Sequence, residues 1–153
     1  LALACRPKVL LADEPTTALD ATVQIQILLL LRALQRELGL SIVFVTHDIG
    51  VAVEIADHIA VMYAGRIVER GSVADILHTP KHPYTRGLMA SRVERVKKGE
   101  RLQTIPGSPP DLSALPSGCA FAPRCHQATS VCHQHMPALQ QGDFDHAVAC
   151  HHA

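Results

Sequence analysis

The sequence predicts an α/β domain followed by a small, irregular, cysteine-rich extension. Two short runs, residues 9–12 and 41–46, have the composition of strands buried in a parallel sheet. An amphipathic stretch of helical length lies between them. Towards the C-terminus, prolines, histidines and four cysteines replace this pattern. We therefore expect parallel core strands with flanking helices, and then a C-terminal module with little regular structure.

The composition restricts the classes of function. The chain has 153 residues, 48% of them apolar, and its 14 Lys and Arg residues balance 14 Asp and Glu residues. This balance argues against a nucleic-acid surface. No apolar run reaches the roughly 18 residues that a membrane span needs, and no signal peptide is visible. Because the chain begins at Leu1, we expect it to be part of a longer, processed or incompletely sequenced product.

Two adjacent carboxylates, Asp13 and Glu14, follow the first predicted strand. They lie at the carboxyl end of a parallel strand, where ligands bind in open α/β sheets. Adjacent carboxylates repel each other unless a cation or a polar partner compensates. A magnesium ion and a polarised water molecule would provide that compensation. The alternative is that the pair only caps a turn.

The remaining elements follow from local signals. Asp20 and Gly39 have the residue types that begin and end a helix over Ala21–Leu38. His47 follows the second strand. A turn at residues 64–65 predicts a β-hairpin, and Ser72 is expected to cap a further helix.

Several segments resemble the ATPases of ABC transporters. Residues 13–20, Asp-Glu-Pro-Thr-Thr-Ala-Leu-Asp, resemble the Walker B and D-loop segment, and residues 45–48, Val-Thr-His-Asp, resemble the H-loop. Residues 82–85, His-Pro-Tyr-Thr, are similar to a segment that marks the ATP-binding subunits of oligopeptide/dipeptide importers and their nickel-uptake relatives. The Ile-Pro-Gly segment at residues 105–107 resembles the same group. The resemblance covers nearly the whole chain.

The resemblance implies the C-terminal part of a P-loop ABC ATPase that powers the import of peptides, nickel or related solutes. Asp13 would then help to hold Mg²⁺ and ATP, Glu14 would polarise the attacking water, and His47 would contact the γ-phosphate. Asp20 would belong to the loop at the dimer interface. The implied partners are a second ATPase subunit, identical or paralogous, two transmembrane permeases and an extracytoplasmic substrate-binding protein. The implied location is peripheral, on the cytoplasmic face of the membrane.

Two elements of such ATPases are absent from the sequence, namely the LSGGQ signature and a G-x-x-x-x-G-K-[ST] phosphate loop. Without the backbone N–H groups and the lysine of that loop, ATP phosphates have no cradle. We therefore expect this chain alone to be inactive, with the missing elements upstream in an intact subunit. The alternative is a non-catalytic remnant whose only autonomous property is a metal-binding tail.

The change in composition predicts three segments. Residues 1–93 are expected to form the ATPase part, residues 94–118 a proline-rich linker, and residues 119–153 the cysteine-rich extension. Prolines remove too many N–H donors for a helix or a central strand around residues 105–112.

Four cysteines in the extension are candidate metal ligands. The extension is too short to bury much core, so a staple is expected. Disulfides are disfavoured in the reducing cytosol. Four thiolates suit a structural Zn²⁺ site or a [4Fe–4S] cluster, and free thiols are the third alternative. The resemblance to the importer ATPases, some of which carry such a cluster, favours iron–sulfur. Arg124 could donate hydrogen bonds to cluster sulfurs. The candidate ligands are Cys119, Cys125, Cys132 and Cys150.

Overall fold

The computed structural model describes residues 2–91, 104–142 and 145–153. The chain divides into two compact units, Leu1–Ala56 and Asp57–Ala153. The architecture is mixed α/β, as the sequence predicts. None of the helices in the described ranges combines the length and apolar character that a membrane crossing needs. The domain boundary predicted between Val93 and Gln103 lies outside the described residues, so the three-segment division stays a prediction.

The first unit contains two strands and two helices in alternation. Strand β1 (Val9–Asp13) is followed by helix α1 (Ala21–Leu38), strand β2 (Ser41–Val45) and helix α2 (Ile49–Ile55). The two strands pair in parallel, with Leu11 opposite Val43. Both strands therefore end at the same edge of the sheet.

Helix α1 begins and ends where the sequence predicts. One carboxylate oxygen of Asp20 accepts hydrogen bonds from the backbone N–H groups of Thr22 and Val23. Gly39 ends the helix in the left-handed conformation with φ 60°, which costs glycine no steric strain. The N-cap and C-cap together set the length of the connection between the parallel strands.

The two strands are less buried than expected. Leu11 is 75% exposed and Val43 is 51% exposed, and both lie on the same face of the sheet. Their neighbours Leu10 and Ile42 are half-buried. An apolar run shows that a strand is able to be buried on both of its faces. In a sheet of two strands that is covered on one face, every second side chain is exposed to solvent. The expectation of fully buried strands is therefore wrong for the described residues.

The second unit is built on an antiparallel sheet. Strands β3 (His58–Tyr63) and β4 (Arg66–Ser72) form the predicted hairpin. Helix α3 (Val73–His78) follows directly. Helix α4 (Pro83–Ala90) begins with proline at its first position, where a missing N–H group costs no helical hydrogen bond. Ser72 and Asp75 cap α3 reciprocally, as a capping box.

The cysteine-rich extension adds to this sheet. It contains helix α5 (Ser130–Gln134) and the two-residue strands β5 (Gln140–Gln141) and β6 (Ala147–Val148). The strand order is β3-β4-β6-β5, with β6 antiparallel to β4. The extension is therefore hydrogen-bonded to the hairpin that precedes it in the chain.

The extension also contacts the hairpin through an aromatic cluster and one arginine. The Tyr63 ring centroid lies 4.7 Å from that of Tyr84 and 5.2 Å from that of Phe121. Arg124 donates hydrogen bonds to the carbonyl oxygens of Pro106 and Gly107 and to the Tyr63 hydroxyl. The guanidinium therefore donates to oxygen atoms. Among the described residues, Arg124 makes no hydrogen bond to a cysteine sulfur, which is the donation expected from the sequence.

Candidate active site

Glu14 and His47 meet at the carboxyl edge of the parallel pair. The Nδ1 atom of His47 lies 3.1 Å from Oε1 of Glu14. The backbone N–H of Glu14 also donates to the carbonyl oxygen of Val45, at 2.9 Å. The ladder between β1 and β2 thus extends one residue beyond β1. This pairing brings together two residues that are 33 positions apart in the sequence.

Both oxygens of the Glu14 carboxylate accept hydrogen bonds. His47 holds one oxygen, and the hydroxyl of Thr17 donates to Oε2 at 3.0 Å. The hydrogen bonds from His47 and Thr17 lower the pKa of Glu14, so the carboxylate is ionised at neutral pH. Because an ionised carboxylate only accepts hydrogen bonds, Nδ1 of His47 must carry the proton in this contact. The Nε2 atom of His47 makes no hydrogen bond with the described residues.

The backbone of Glu14 adopts an unusual conformation. Its φ is 45° and that of Ala18 is 65°, both in the left-handed region that non-glycine residues rarely occupy. Strained conformations of this kind occur at functional sites, where the surrounding structure holds them. Here the Val45 carbonyl and the turn that ends at Thr17 provide that support.

The other two predicted ATP-site residues lie nearby in the same unit. Asp13 is the last residue of β1 and is exposed, in register with Val45. Asp20 is the N-cap of α1 and uses one of its two carboxylate oxygens for that purpose. The structure thus joins Glu14 to His47 directly, and leaves Asp13 available to a ligand at the same sheet edge.

The four cysteines of the extension line one cavity. A close approach makes this convergence possible, since a Cβ atom on Gly118 would lie 2.3 Å from the carbonyl oxygen of Cys132. The backbone N–H of Cys119 donates to that same oxygen at 2.7 Å. Members of the cavity lining that bear on its chemistry are His82, Cys119, Phe121, Cys125, Cys132, Cys150, His151 and His152.

Two of the four cysteines, Cys119 and Cys125, are held as neutral thiols. Burial raises the pKa of Cys119 and also that of Cys125. The imidazole of His152 approaches the buried Cys132, with 3.4 Å between Nε2 and Sγ, and also lies 3.0 Å from the Thr129 hydroxyl. Raised thiol pKa values oppose nucleophilic reactivity. Any metal bound here must displace the thiol protons.

The described residues contain no group of three or more Cys, His, Asp or Glu arranged to hold a metal ion. The structure therefore does not support the expectation of a preformed iron–sulfur or zinc site, nor the alternative of a remnant defined by a metal-binding tail. The donor chemistry of the cavity, four thiols on one lining, still fits an iron–sulfur cluster. The fifth cysteine, Cys5, lies in an apolar stretch of sequence that favours a buried thiol, but the structure leaves it exposed.

Sequence reasoning missed two polar contacts. The first is the bond from Thr17 to Glu14, for which the three-residue spacing after the carboxylate pair was an available signal. The second is a buried group centred on Glu69, which is fully buried. Its carboxylate accepts from the backbone N–H groups of Lys81 and His82 and lies 2.7 Å from Nε2 of His146. No local pattern indicates this second group, because its members come from three distant segments.

Comparison with known proteins agrees with the resemblance seen in the sequence. Residues 68–132 match the family model described as the oligopeptide/dipeptide transporter, C-terminal region. A putative peptide import ATP-binding protein of Brucella ovis is 51% identical over 98% of this chain and 46% of its own length. The dipeptide transport ATP-binding protein DppD of Bacillus subtilis is 46% identical over 98% of this chain and 45% of its own. The oligopeptide transport ATP-binding protein OppD of Salmonella typhimurium is 50% identical over 90% and 41%. The chain spans about half the length of these curated relatives.

Proposed function

We propose that this chain, which belongs to the ATP-binding protein family of oligopeptide and dipeptide ABC transporters, supplies the water-activating half of an ATP-hydrolysing site. The observation that carries the proposal is the 3.1 Å contact between Glu14 and His47 at the carboxyl edge of β1 and β2. This contact joins an ionised carboxylate to an imidazole whose Nε2 atom makes no hydrogen bond with the described residues. These are the groups that water activation requires.

Each residue has a role in this proposal. Glu14, with a lowered pKa, orients and polarises the attacking water. His47 donates from Nδ1 to Glu14 and presents Nε2 to the γ-phosphate. Asp13, exposed at the end of β1, would hold Mg²⁺, which neutralises phosphate charge. Asp20 caps α1 and lies in the loop assigned to the dimer interface.

The phosphate cradle of the site must come from other residues, because the sequence contains no G-x-x-x-x-G-K-[ST] run. We therefore propose that hydrolysis requires additional protein and that this chain alone does not turn over ATP. The family assignment supports a wider assembly. It comprises a second ATPase subunit, two membrane permeases and an extracytoplasmic binding protein, with this chain at the cytoplasmic face of the membrane. The transported solute is a peptide, or nickel or a related solute.

The test uses a hybrid protein, in which this chain replaces the matching segment of the Bacillus subtilis dipeptide transport ATP-binding protein. We expect the hybrid to hydrolyse ATP. Glu14→Gln should lower kcat by about 10²- to 10⁴-fold, the usual contribution of a general base, while ATP still binds. The matched control is Glu37→Gln, since Glu37 is an exposed carboxylate on α1.

Two outcomes would count against the proposal. One is an unmutated hybrid that binds ATP without hydrolysing it. The other is a Glu14→Gln hybrid that turns over ATP as fast as the Glu37→Gln control. The first result would show that this chain does not supply a working water-activating half, and the second would remove Glu14 from the reaction.

We also propose that Cys119, Cys125, Cys132 and Cys150 bind a [4Fe–4S] cluster, with Zn²⁺ as the alternative. What supports the proposal is that all four line one cavity, and that cavity is also lined by Phe121. A cluster would supply a structural staple to a segment with little regular structure. When the chain is purified without air, we expect a brown protein with about four iron and four sulfide per chain.

The control for the cluster is Cys5→Ser, because Cys5 is exposed and lies in the other unit. Cys132→Ser should reduce iron and visible absorption, whereas Cys5→Ser should leave both unchanged. A colourless protein with one zinc ion per chain would indicate a zinc site in place of the proposed cluster. A protein without metal would leave the four cysteines as free thiols.

A further inference from the structure

We propose that Thr17 is a positioning residue for Glu14, holding its carboxylate in the orientation that water activation requires. The inference rests on the proposed function of Glu14 and extends it to a residue with no assigned role. It is carried by the two hydrogen bonds that join residue 17 to residue 14.

The first step is the geometry of the turn. The backbone N–H of Thr17 donates to the carbonyl oxygen of Glu14 at 3.1 Å, and its hydroxyl donates to Oε2 of the same residue at 3.0 Å. One residue thus holds both the main chain and the side chain of Glu14. The main-chain bond survives any substitution at position 17 except proline, so the hydroxyl can be removed without removing the turn.

The second step is the distribution of contacts over the carboxylate. Thr17 takes Oε2 while His47 takes Oε1, and Glu14 N–H is bonded to Val45. Together with the bond from Thr17 N–H, these contacts fix the residue at four points. Glu14 is nevertheless exposed, with 44% of its side chain accessible. Packing does not restrict this side chain, so hydrogen bonds must select its rotamer.

The third step is the consequence of losing the hydroxyl. Without Thr17 Oγ1, the carboxylate keeps one side-chain partner and can rotate about it. A misplaced catalytic group loses rate even when its chemistry is intact. Rotation therefore lowers kcat, while the affinity for ATP depends on other residues.

The test compares three substitutions of threonine residues, two at position 17 and one at position 22. Thr17→Val removes the hydroxyl at nearly constant shape, and Thr17→Ser restores it. Thr22→Val is the matched control, because Thr22 is an exposed threonine on α1 without a side-chain hydrogen bond in the described part of the chain. Amide chemical shifts of the α1 residues after position 23 verify that the helix is intact in each variant.

The readout is ATP turnover in the hybrid, with kcat and KM measured separately. Thr17→Val should lower kcat about tenfold with KM for ATP within about twofold of wild type, and Thr17→Ser should recover most of the rate.

A wild-type kcat in Thr17→Val would overturn the inference. Equal defects in Thr17→Ser and Thr17→Val would overturn it as well, since the loss would then follow from shape and not from the hydroxyl. If Glu14→Gln abolishes turnover while Thr17→Val does not change it, only the role of Thr17 fails. If Glu14→Gln is active, the proposed function fails first.

Discussion

Among single residues, His82 shows how burial changes an acid–base equilibrium. It is 1% exposed, and its Nδ1 accepts the backbone N–H of Tyr84 at the start of α4. Burial, opposed by the charge of Glu69, lowers the pKa of His82 from 6.5 to about 4. The folded protein therefore keeps this imidazole neutral over a pH range in which the unfolded chain takes up a proton.

The pKa of His82 predicts the direction of a pH effect on stability. Since the unfolded state binds more protons between pH 6.5 and 4, the free energy of unfolding falls as the pH is lowered through this range. We expect His82 to contribute a loss of about 2 kcal/mol between pH 7.5 and 5. His82→Asn keeps a capping acceptor and removes the titration.

Tyrosine fluorescence in urea, recorded on metal-free chain, measures this effect. The chain has two tyrosines and no tryptophan, and both Tyr63 and Tyr84 belong to the second unit. The wild type should lose more unfolding free energy than His82→Asn when the pH is lowered. Parallel curves for the two proteins would contradict the lowered pKa of His82.

Among the elements, helix α1 connects the two strands whose ends form the candidate site. Its N-cap is Asp20, the residue that we also propose for the dimer-interface loop. The two roles can be separated by chemistry, because asparagine caps a helix as well as aspartate but carries no charge.

Asp20→Ala should increase amide hydrogen exchange at Thr22 and Val23, whose N–H groups donate to Asp20. It should lower helix stability by about 1 kcal/mol. Asp20→Asn should retain wild-type exchange rates at both amides. Unchanged exchange in Asp20→Ala would mean that the cap hydrogen bonds do not stabilise the helix. A loss of hybrid activity in Asp20→Asn with normal exchange would assign that loss to the interface.

In the chain as a whole, Glu69 joins three segments of the second unit. Its buried carboxylate binds the backbone before α4 and the imidazole of His146, which is 4% exposed. Removing this carboxylate leaves two backbone N–H groups and an imidazole without their partner, which should cost about 3–5 kcal/mol in total at roughly 1–3 kcal/mol for each buried group. Glu69→Ala should therefore destabilise the second unit by that amount in the tyrosine-monitored urea titration.

The control for this substitution is Arg66→Ala, an exposed position on the same strand, which should stay within about 0.5 kcal/mol of wild type. If Glu69→Ala unfolds at the same urea concentration as this control, the buried group contributes no stability. It would then not be the link between the extension and the hairpin.

Local signals in the sequence predict most of the elements but not their burial. The N-cap at Asp20, the left-handed stop at Gly39, the hairpin and the cap at Ser72 are all local, and the structure has each of them. The position of Glu14 and His47 at one sheet edge also follows from the sequence, since parallel strands bring their carboxyl ends together, whereas the contact between them comes from the structure. The exposure of Leu11 could not be predicted, because the burial of a strand residue depends on which other elements pack against that face of the sheet. The Glu69 group could not be predicted either, since its partners are separated by up to 77 residues.

The most direct test of the proposed site is a double-mutant cycle between Glu14 and His47 in the hybrid. Turnover of ATP would be measured for Glu14→Gln, His47→Ala and the double variant. Residues that act as one unit show strongly non-additive losses. We therefore predict that the double variant loses little more than the more severe single variant. Losses that multiply, as for two independent residues, would contradict the joint action of Glu14 and His47 on one water molecule.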